Sequence, residues 1–265
     1  MRLILYIMFL YNTYSLINKH LLRNVDPFKM RDYLKNKLEK NYEYKSYEYV
    51  KKTFHKYIDF IDIYGNHSNV KNMEHVYPQS LFKKDKNFKY MKSDMHNLYL
   101  CNAKLNMLKQ NYKYVDKNEF FTDKKYKFYD KNEKNIDNIE LMLQKEEGVI
   151  AINNNKKLFL PHMHSRGIIS RSLAYFIIKY DYLDKVTNVI DLHTMIRWNY
   201  EYCVSKEEYI KNMVIMMHQR NNNLFISYPE LMYYAFSDKV DMQEICEKYG
   251  IQSNIQIEDI LNKLN

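Results

Sequence analysis

Apolar residues recur at helical spacing through most of this chain and fall into strand-like runs only in short patches. From Phe28 to about Lys40, Tyr33, Leu34 and Leu38 predict a first helix. Ser46 can cap a second, in which Tyr47, Val50, Phe54, Tyr57, Ile58 and Ile61 hold one face until Gly65 stops the run. From Ser165, another candidate cap, Ile169, Leu173, Phe176, Ile177 and Tyr180 share a face. Ser205-Lys206-Glu207-Glu208 has the form of a capping box and opens a helix expected to bury Ile210, Met213, Val214 and Met217. Ile257, Ile260, Leu261 and Leu264 predict a last short helix. Val149-Ile150-Ala151-Ile152 and Leu158-Phe159-Leu160, separated by three asparagines, predict a strand pair around an Asn turn, and the lysine-rich stretch from about 112 to Lys145 reads as irregular.

At 265 residues the chain can bury one substantial core, and four Gly and four Pro leave little material for long flexible linkers. The expected fold class is α+β: a mainly helical single domain. Arg2 and the apolar run Leu3 to Tyr11 are too short to span a bilayer as a helix. Two readings of residues 1–24 stand side by side: a secretory leader, though no good small-residue cleavage site follows, or an extra N-terminal helix.

The formal net charge of +9 suits a polyanionic partner, and from Lys83 to Lys134 lysines outnumber acids about two to one. An AT-rich coding sequence would give the same Lys, Asn, Ile and Tyr usage, but the attraction for phosphate is the same whatever its origin. Cys101, Cys203 and Cys246 are odd in number and lack C-x-x-C spacing, so neither a disulfide framework nor a zinc ribbon is indicated; buried thiols are expected. Unpaired cysteines fit an intracellular setting and the apolar start fits a secreted one, which leaves the compartment open.

The chemistry concentrates in Asn72-Met73-Glu74-His75-Val76-Tyr77-Pro78-Gln79-Ser80, followed by Ser93-Asp94-Met95-His96-Asn97-Leu98 and then Asn106. Hydrolysing a phosphodiester needs an activated water and charge neutralisation at the phosphoryl oxygens. His75 is the candidate general base, since an ordinary imidazole is mostly neutral at physiological pH. Glu74 and Asn106 offer hard oxygens to Mg²⁺, or to another divalent cation such as Mn²⁺ or Ca²⁺. Neighbours in a strand point to opposite faces, so Glu74 and His75 can serve one site only if the backbone bends there, and Pro78 fits such a bend.

This series resembles the endonuclease I group of nonspecific nucleases, within the His-Me finger (ββα-metal, HNH-like) superfamily. The match runs through N-x-E-H-V-x-P-Q-S at Asn72 to Ser80, S-D-M-H-N-L at Ser93 to Leu98, Asn106 and Asn111, R-G-x-x-x-R at Arg166 to Arg171, and Gln219-Arg220-Asn221-Asn222-Asn223 before Phe225. The resemblance implies a nuclease domain over 25–265 with a ββα-metal finger at about 66–111. It further implies His75 as general base, Glu74 and Asn106 on the metal, and Asn97 in the second strand, bracing the histidine loop. Four positions depart from the family: Lys109 stands for an arginine, Leu100 for a proline, and Arg220 and Leu224 for Gly and Pro. The change at Lys109 keeps the charge but loses the bidentate fork.

Other residues are weighed against plainer roles. His96 and Asp94 are expected to brace the site as a hydrogen-bonded histidine and a turn or strand carboxylate. His162 and His164 form an H-x-H without further zinc ligands nearby. Lys109, Arg166 and Arg171 are candidate phosphate contacts, with intramolecular pairing the alternative for the arginines. Gln219, Asn221 and Asn223 are expected to pack and cap along the cleft wall, and Trp198 to sit in the core. The leading expectation is a monomeric metal-dependent endonuclease acting on DNA, with RNA a second substrate, with little sequence preference and no membrane span. The rivals are a noncatalytic nucleic-acid-binding protein that keeps the fold and a structure-selective HNH-type nuclease.

Overall fold

The computed structural model describes residues 26–64, 71–117, 127–129 and 150–249. Helix α1 (Pro27–Glu39) begins at Asp26, whose carboxylate accepts from the Phe28 N–H at 2.9 Å, and Pro27 occupies the first turn, where no N–H is needed. Met30, Leu34 and Leu38 form its buried stripe. Helix α2 (Tyr47–Tyr57) starts at the expected cap, with Ser46 Oγ accepting from the Tyr49 N–H at 3.2 Å. It ends well before Gly65: Ile58, Ile61 and Ile63 are buried from non-helical backbone, and the Ile63 N–H bonds to Leu100 O.

A compact ββα unit follows. Strand β1 (Lys71–His75) leads through two short helices, α3 (Gln79–Phe82) and α4 (Phe88–Ser93), and a 3-10 turn, Met95–Asn97, into β2 (Leu98–Asn102). The strands pair antiparallel, from Lys71 opposite Asn102 to His75 opposite Leu98. Asn102 ends β2 and caps α5 (Ala103–Lys109), its Oδ1 accepting from the N–H groups of Lys104 and Leu105 at 2.8 and 3.0 Å. That cap folds α5 back against both strands.

Strands β3 (Lys113–Tyr114), β4 (Lys127–Tyr129), β5 (Ile150–Asn153) and β6 (Leu158–Leu160) make a second sheet in the order β3-β6-β5-β4. The expected pair is β5 and β6, antiparallel, with Asn153 Oδ1 accepting from the Lys156 N–H in the turn. The stretch read as irregular contributes β3, parallel to β6, and β4, antiparallel to β5.

The rest is helical: α6 (Met163–Lys179), α7 (Leu192–Glu201), α8 (Lys206–Gln219), α9 (Leu224–Ser227), α10 (Leu231–Phe236) and α11 (Gln243–Tyr249). Helix α6 is buried on nearly every side and is packed against α1, α7, α9 and the 3-10 turn. Its cap is His162, whose Nδ1 accepts from the His164 N–H, rather than Ser165, which donates its hydroxyl to Ile63 O. Helix α8 starts at Ser205 as expected, yet the face it buries is largely polar, with Glu208, Lys211, Asn212 and Gln219 inside and Met217 47% exposed. Trp198 is fully buried in the main core with Leu34, Tyr77, Phe176 and Ile196. A smaller cluster of Val50, Phe54, Leu98, Leu100 and Ile215 ties α2 to the ββα unit. Each such side chain contributes roughly 1.5–3 kcal/mol. Cys101 is buried, Cys246 is half-buried and Cys203 is exposed, a correction for the last. No helix among the described residues is long and apolar enough to cross a membrane. The N-terminal apolar segment and the helix expected at Ile257 to Leu264 lie outside the described residues.

Candidate active site

Glu74, His75 and Asn106 line one open cleft of about 470 Å³, together with Met73, Gln79 and Asn111. The two adjacent residues reach it because β1 ends at His75 and the chain bends through Val76 and Tyr77 before Pro78 starts α3. Glu74 is 4% exposed, and its Oε1 accepts from Tyr64 Oη at 2.9 Å and Lys109 Nζ at 2.8 Å. Among the described residues no partner engages Oε2 or the Asn106 side-chain amide. The neighbouring Asn102 is committed to capping α5, which singles out Asn106 as the helix amide available to the cleft.

His75 is held on three sides. Its Nε2 lies 2.8 Å from Lys92 O, which can only accept, so Nε2 carries the proton and Nδ1 is the basic nitrogen. Tyr47 lies parallel to the imidazole, 6.0 Å between ring centres, and Phe82 meets it edge-on at 6.1 Å. Burial, together with the positive charges of Lys92 and Lys109, brings the His75 pKa down to about 4, outweighing the bond to the Lys92 carbonyl. The ring is therefore neutral at physiological pH and able to take a proton.

The loop carrying His75 is fixed from the far side. Asn97 brackets Tyr77, its Oδ1 accepting from the Tyr77 N–H at 2.7 Å and its Nδ2 donating to Tyr77 O at 3.2 Å, while Asn97 O accepts from the Val76 N–H. Asn97 and His96 lie in the 3-10 turn ahead of β2, not within the strand, because Asp94 Oδ1 caps that turn through the His96 N–H. Asp94 is fully buried. Its Oδ2 accepts from Lys179 Nζ at 2.7 Å, Tyr180 Oη at 2.8 Å and Tyr175 Oη at 3.0 Å, and its Oδ1 also accepts from Gln219 Nε2 at 3.0 Å. Burial alone would raise its pKa, but Lys179 overrides this and holds it down at about 2. His96 donates from Nε2 to Asn221 O at 3.1 Å, and burial lowers its pKa to about 3 against the pull of Asp94.

The three candidate phosphate contacts are all turned inward. Lys109 is fully buried with its ammonium on Glu74; burial pulls its pKa down, and the carboxylate more than reverses this, so the group stays charged. Arg171 makes a two-pronged pair with Glu208, at 2.8 Å through Nε and 2.6 Å through Nη2. Arg166 donates to Tyr202 Oη at 2.9 Å and Pro161 O at 3.3 Å, with Asp116 3.8 Å away. None of the three lines the cleft: both arginines take the intramolecular-pairing alternative, and Lys109 is paired within the protein as well. Gln219, Asn221 and Asn223 likewise pack and cap behind the site and do not form its wall: Gln219 Oε1 accepts from the Met95 N–H at 2.8 Å, and Asn223 caps α9. His162 is occupied as the α6 cap, and no trio of His, Cys, Asp or Glu able to hold a metal occurs among the described residues.

A family model described as Endonuclease I matches residues 12–230. The chain belongs to the Endonuclease I family. It is accordingly a nuclease, and nucleic acid is its substrate class. The comparison with curated proteins found no match. In this endonuclease I chain the sequence motif missed Tyr64, which shares Glu74 with Lys109, and Lys92, which orients His75 through its backbone. A carbonyl role leaves no trace in residue type. Tyr64, ten positions before Glu74, gave no signal beyond being one of 27 tyrosines.

Proposed function

We propose that this nuclease is a metal-dependent endonuclease that hydrolyses phosphodiester bonds of DNA, with RNA as a second substrate, and with little sequence preference. The observation that carries this is the meeting of Glu74, His75 and Asn106 at one cleft, with the His75 ring locked so that Nδ1 is the free base. The donor set fits Mg²⁺: one carboxylate oxygen and one amide oxygen, both hard and both without a partner among the described residues, at the edge of an open cleft where water can complete the shell. A divalent cation held by Glu74 and Asn106 supplies charge neutralisation for the phosphoryl and leaving oxygens.

His75 takes a proton from water at Nδ1 as the water oxygen bonds to phosphorus and the P–O bond to the departing sugar oxygen breaks. Tyr47, Phe82 and Lys92 O keep the ring from turning, so proton transfer needs no reorientation. Lys109 and Tyr64 fix Glu74 by Oε1 and leave the second oxygen for the cation. The lysine excess from Lys83 to Lys134 attracts backbone phosphate without reading bases, which accounts for low specificity.

The test is plasmid and RNA digestion by the wild type and Glu74→Gln, with Mg²⁺ and with EDTA. Digestion that requires the metal and is lost in Glu74→Gln is expected. Equal digestion in EDTA would overturn the metal assignment, and a wild type inert with every divalent cation would favour a noncatalytic binding role.

A further inference from the structure

Rings and ammonium groups lie side by side on the face of His75 that carries Tyr47 and Lys92. Lys92, whose carbonyl fixes His75, holds Nζ 5.0 Å from the centre of the Tyr47 ring, the ring that lies parallel to the imidazole. Earlier on α4, Lys89 Nζ sits 4.4 Å from the Tyr44 ring and 5.9 Å from the Tyr90 ring, and those two rings meet edge-on at 5.4 Å. Tyr90 and Tyr42 then border a second cleft of about 250 Å³, where Lys179 Nζ lies 3.3 Å from the Tyr42 ring centre. Tyr90 is 43% exposed, Lys89 is exposed, and Tyr42 and Tyr44 are half-buried. Neither Lys89 nor Lys92 has a carboxylate partner among the described residues.

A chain with 27 tyrosines has many Lys–Tyr neighbours by composition alone. This set differs in that its lysines share α4 and that one of its rings, Tyr47, lies on the candidate base. A duplex keeps its bases stacked on one another and offers a protein phosphates and groove edges, for which lysines suffice. An unpaired strand also offers base faces, and tyrosines between lysines match both parts of it.

We propose that this ridge seats unpaired nucleotides adjoining the scissile phosphate, their bases against Tyr44 and Tyr90 and their phosphates near Lys89 and Lys92. Single-stranded segments therefore bind more tightly than duplex of the same length. The proposal rests on the cleft being the active site, and its test is kept separate from catalysis.

The full chain carrying His75→Ala, in EDTA, is titrated by fluorescence anisotropy with a short labelled oligothymidylate, its duplex with oligoadenylate, and an abasic oligomer of the same length. Tyr44→Ala and Tyr90→Ala are each expected to weaken oligothymidylate binding by about 5- to 150-fold, the equivalent of stacking one base. The same variants leave the abasic oligomer within about twofold, because only phosphate contacts remain there. Lys89→Gln weakens both oligomers alike and lowers the salt dependence. Should Tyr44→Ala fail to melt cooperatively, Tyr44→Phe with Tyr90→Ala carries the test. Unchanged affinity in the tyrosine variants, an equal loss on the abasic oligomer, or duplex binding as tight as single strand overturns the ridge. With plasmid digestion by the wild type read alongside, an active enzyme with indifferent tyrosines refutes the ridge alone. An inert enzyme whose binding depends on the tyrosines supports the ridge and refutes only the catalytic assignment.

Discussion

Lys109→Met removes the only cation bonded to Glu74 among the described residues and puts a side chain of similar length in its place. The carboxylate, 4% exposed, is left with the Tyr64 hydroxyl as its sole partner there. Removing one member of a buried ion pair destabilises by about 3–5 kcal/mol, because the remaining charge stays desolvated. For a domain of this size each kcal/mol lowers Tm by about 2–4 °C, so the variant is expected to melt roughly 6–20 °C below wild type in EDTA. Lys109→Arg, which keeps the charge, loses much less. The deficit also responds to metal. A cation present at about a hundred times its Kd adds ~2.7 kcal/mol to a protein that binds it only when folded, and the variant, freed of the competing ammonium, gains more than wild type. Scanning calorimetry of the three proteins, with EDTA and with excess Mg²⁺, reads both effects. A Lys109→Met protein that melts within about 2 °C of wild type in EDTA would refute the view that Lys109 holds Glu74 in place.

Three further expectations follow from particular contacts. Asn102→Ala removes the α5 cap and lowers stability by about 0.5–2 kcal/mol in urea unfolding, whereas Asn106→Ala leaves stability unchanged and raises the Mg²⁺ concentration needed for half-maximal cleavage; the reverse pattern would exchange their roles. Arg171→Met strands Glu208 in the core and destabilises by about 3–5 kcal/mol with KM unchanged, and a selective rise in KM at wild-type stability would return Arg171 to the substrate. His96, with its folded pKa lowered to about 3 by burial, stays neutral while the unfolded chain's histidine takes a proton below about 6.5. The unfolded state then binds more protons, so each pH unit below 6.5 costs about 1.4 kcal/mol from this group. His96→Gln should reduce the slope of unfolding free energy between pH 6 and 4 by about that much, as read from urea midpoints. An unchanged slope shows that His96 does not titrate on unfolding.

The parts of the fold legible in the sequence were those governed by local chemistry. Ser46, Ser205 and the asparagine turn after Ile152 announced element ends because each acts on backbone within three residues. The meeting of Glu74, His75 and Asn106 at one cleft was legible for the same reason, since β1, β2 and α5 lie close together along the chain. What sequence reading missed depends on partners far along the chain. The buried face of α8 was expected to follow Ile210, Met213, Val214 and Met217; Val214 is buried, but Arg171, Met95 O and Asp94 offer bonds to Glu208, Lys211 and Gln219 and turn a polar face inward beside it. Lys109 and Arg171 looked like phosphate ligands until the carboxylates that take them, 35 positions before and 37 after, were in view. Ser165 and His162 are both competent caps, and only the placement of Ile63 O assigns Ser165 elsewhere.

The most direct measurement is the single-turnover rate of oligonucleotide cleavage at saturating enzyme and Mg²⁺, wild type against His75→Ala. The ring leaves the cleft while Glu74, Asn106 and the fold stay in place, which a matching melt confirms. The expected result is a loss of about 10²–10⁴-fold, the contribution of one general base. A His75→Ala rate within about threefold of wild type, well below that range, would contradict the central claim.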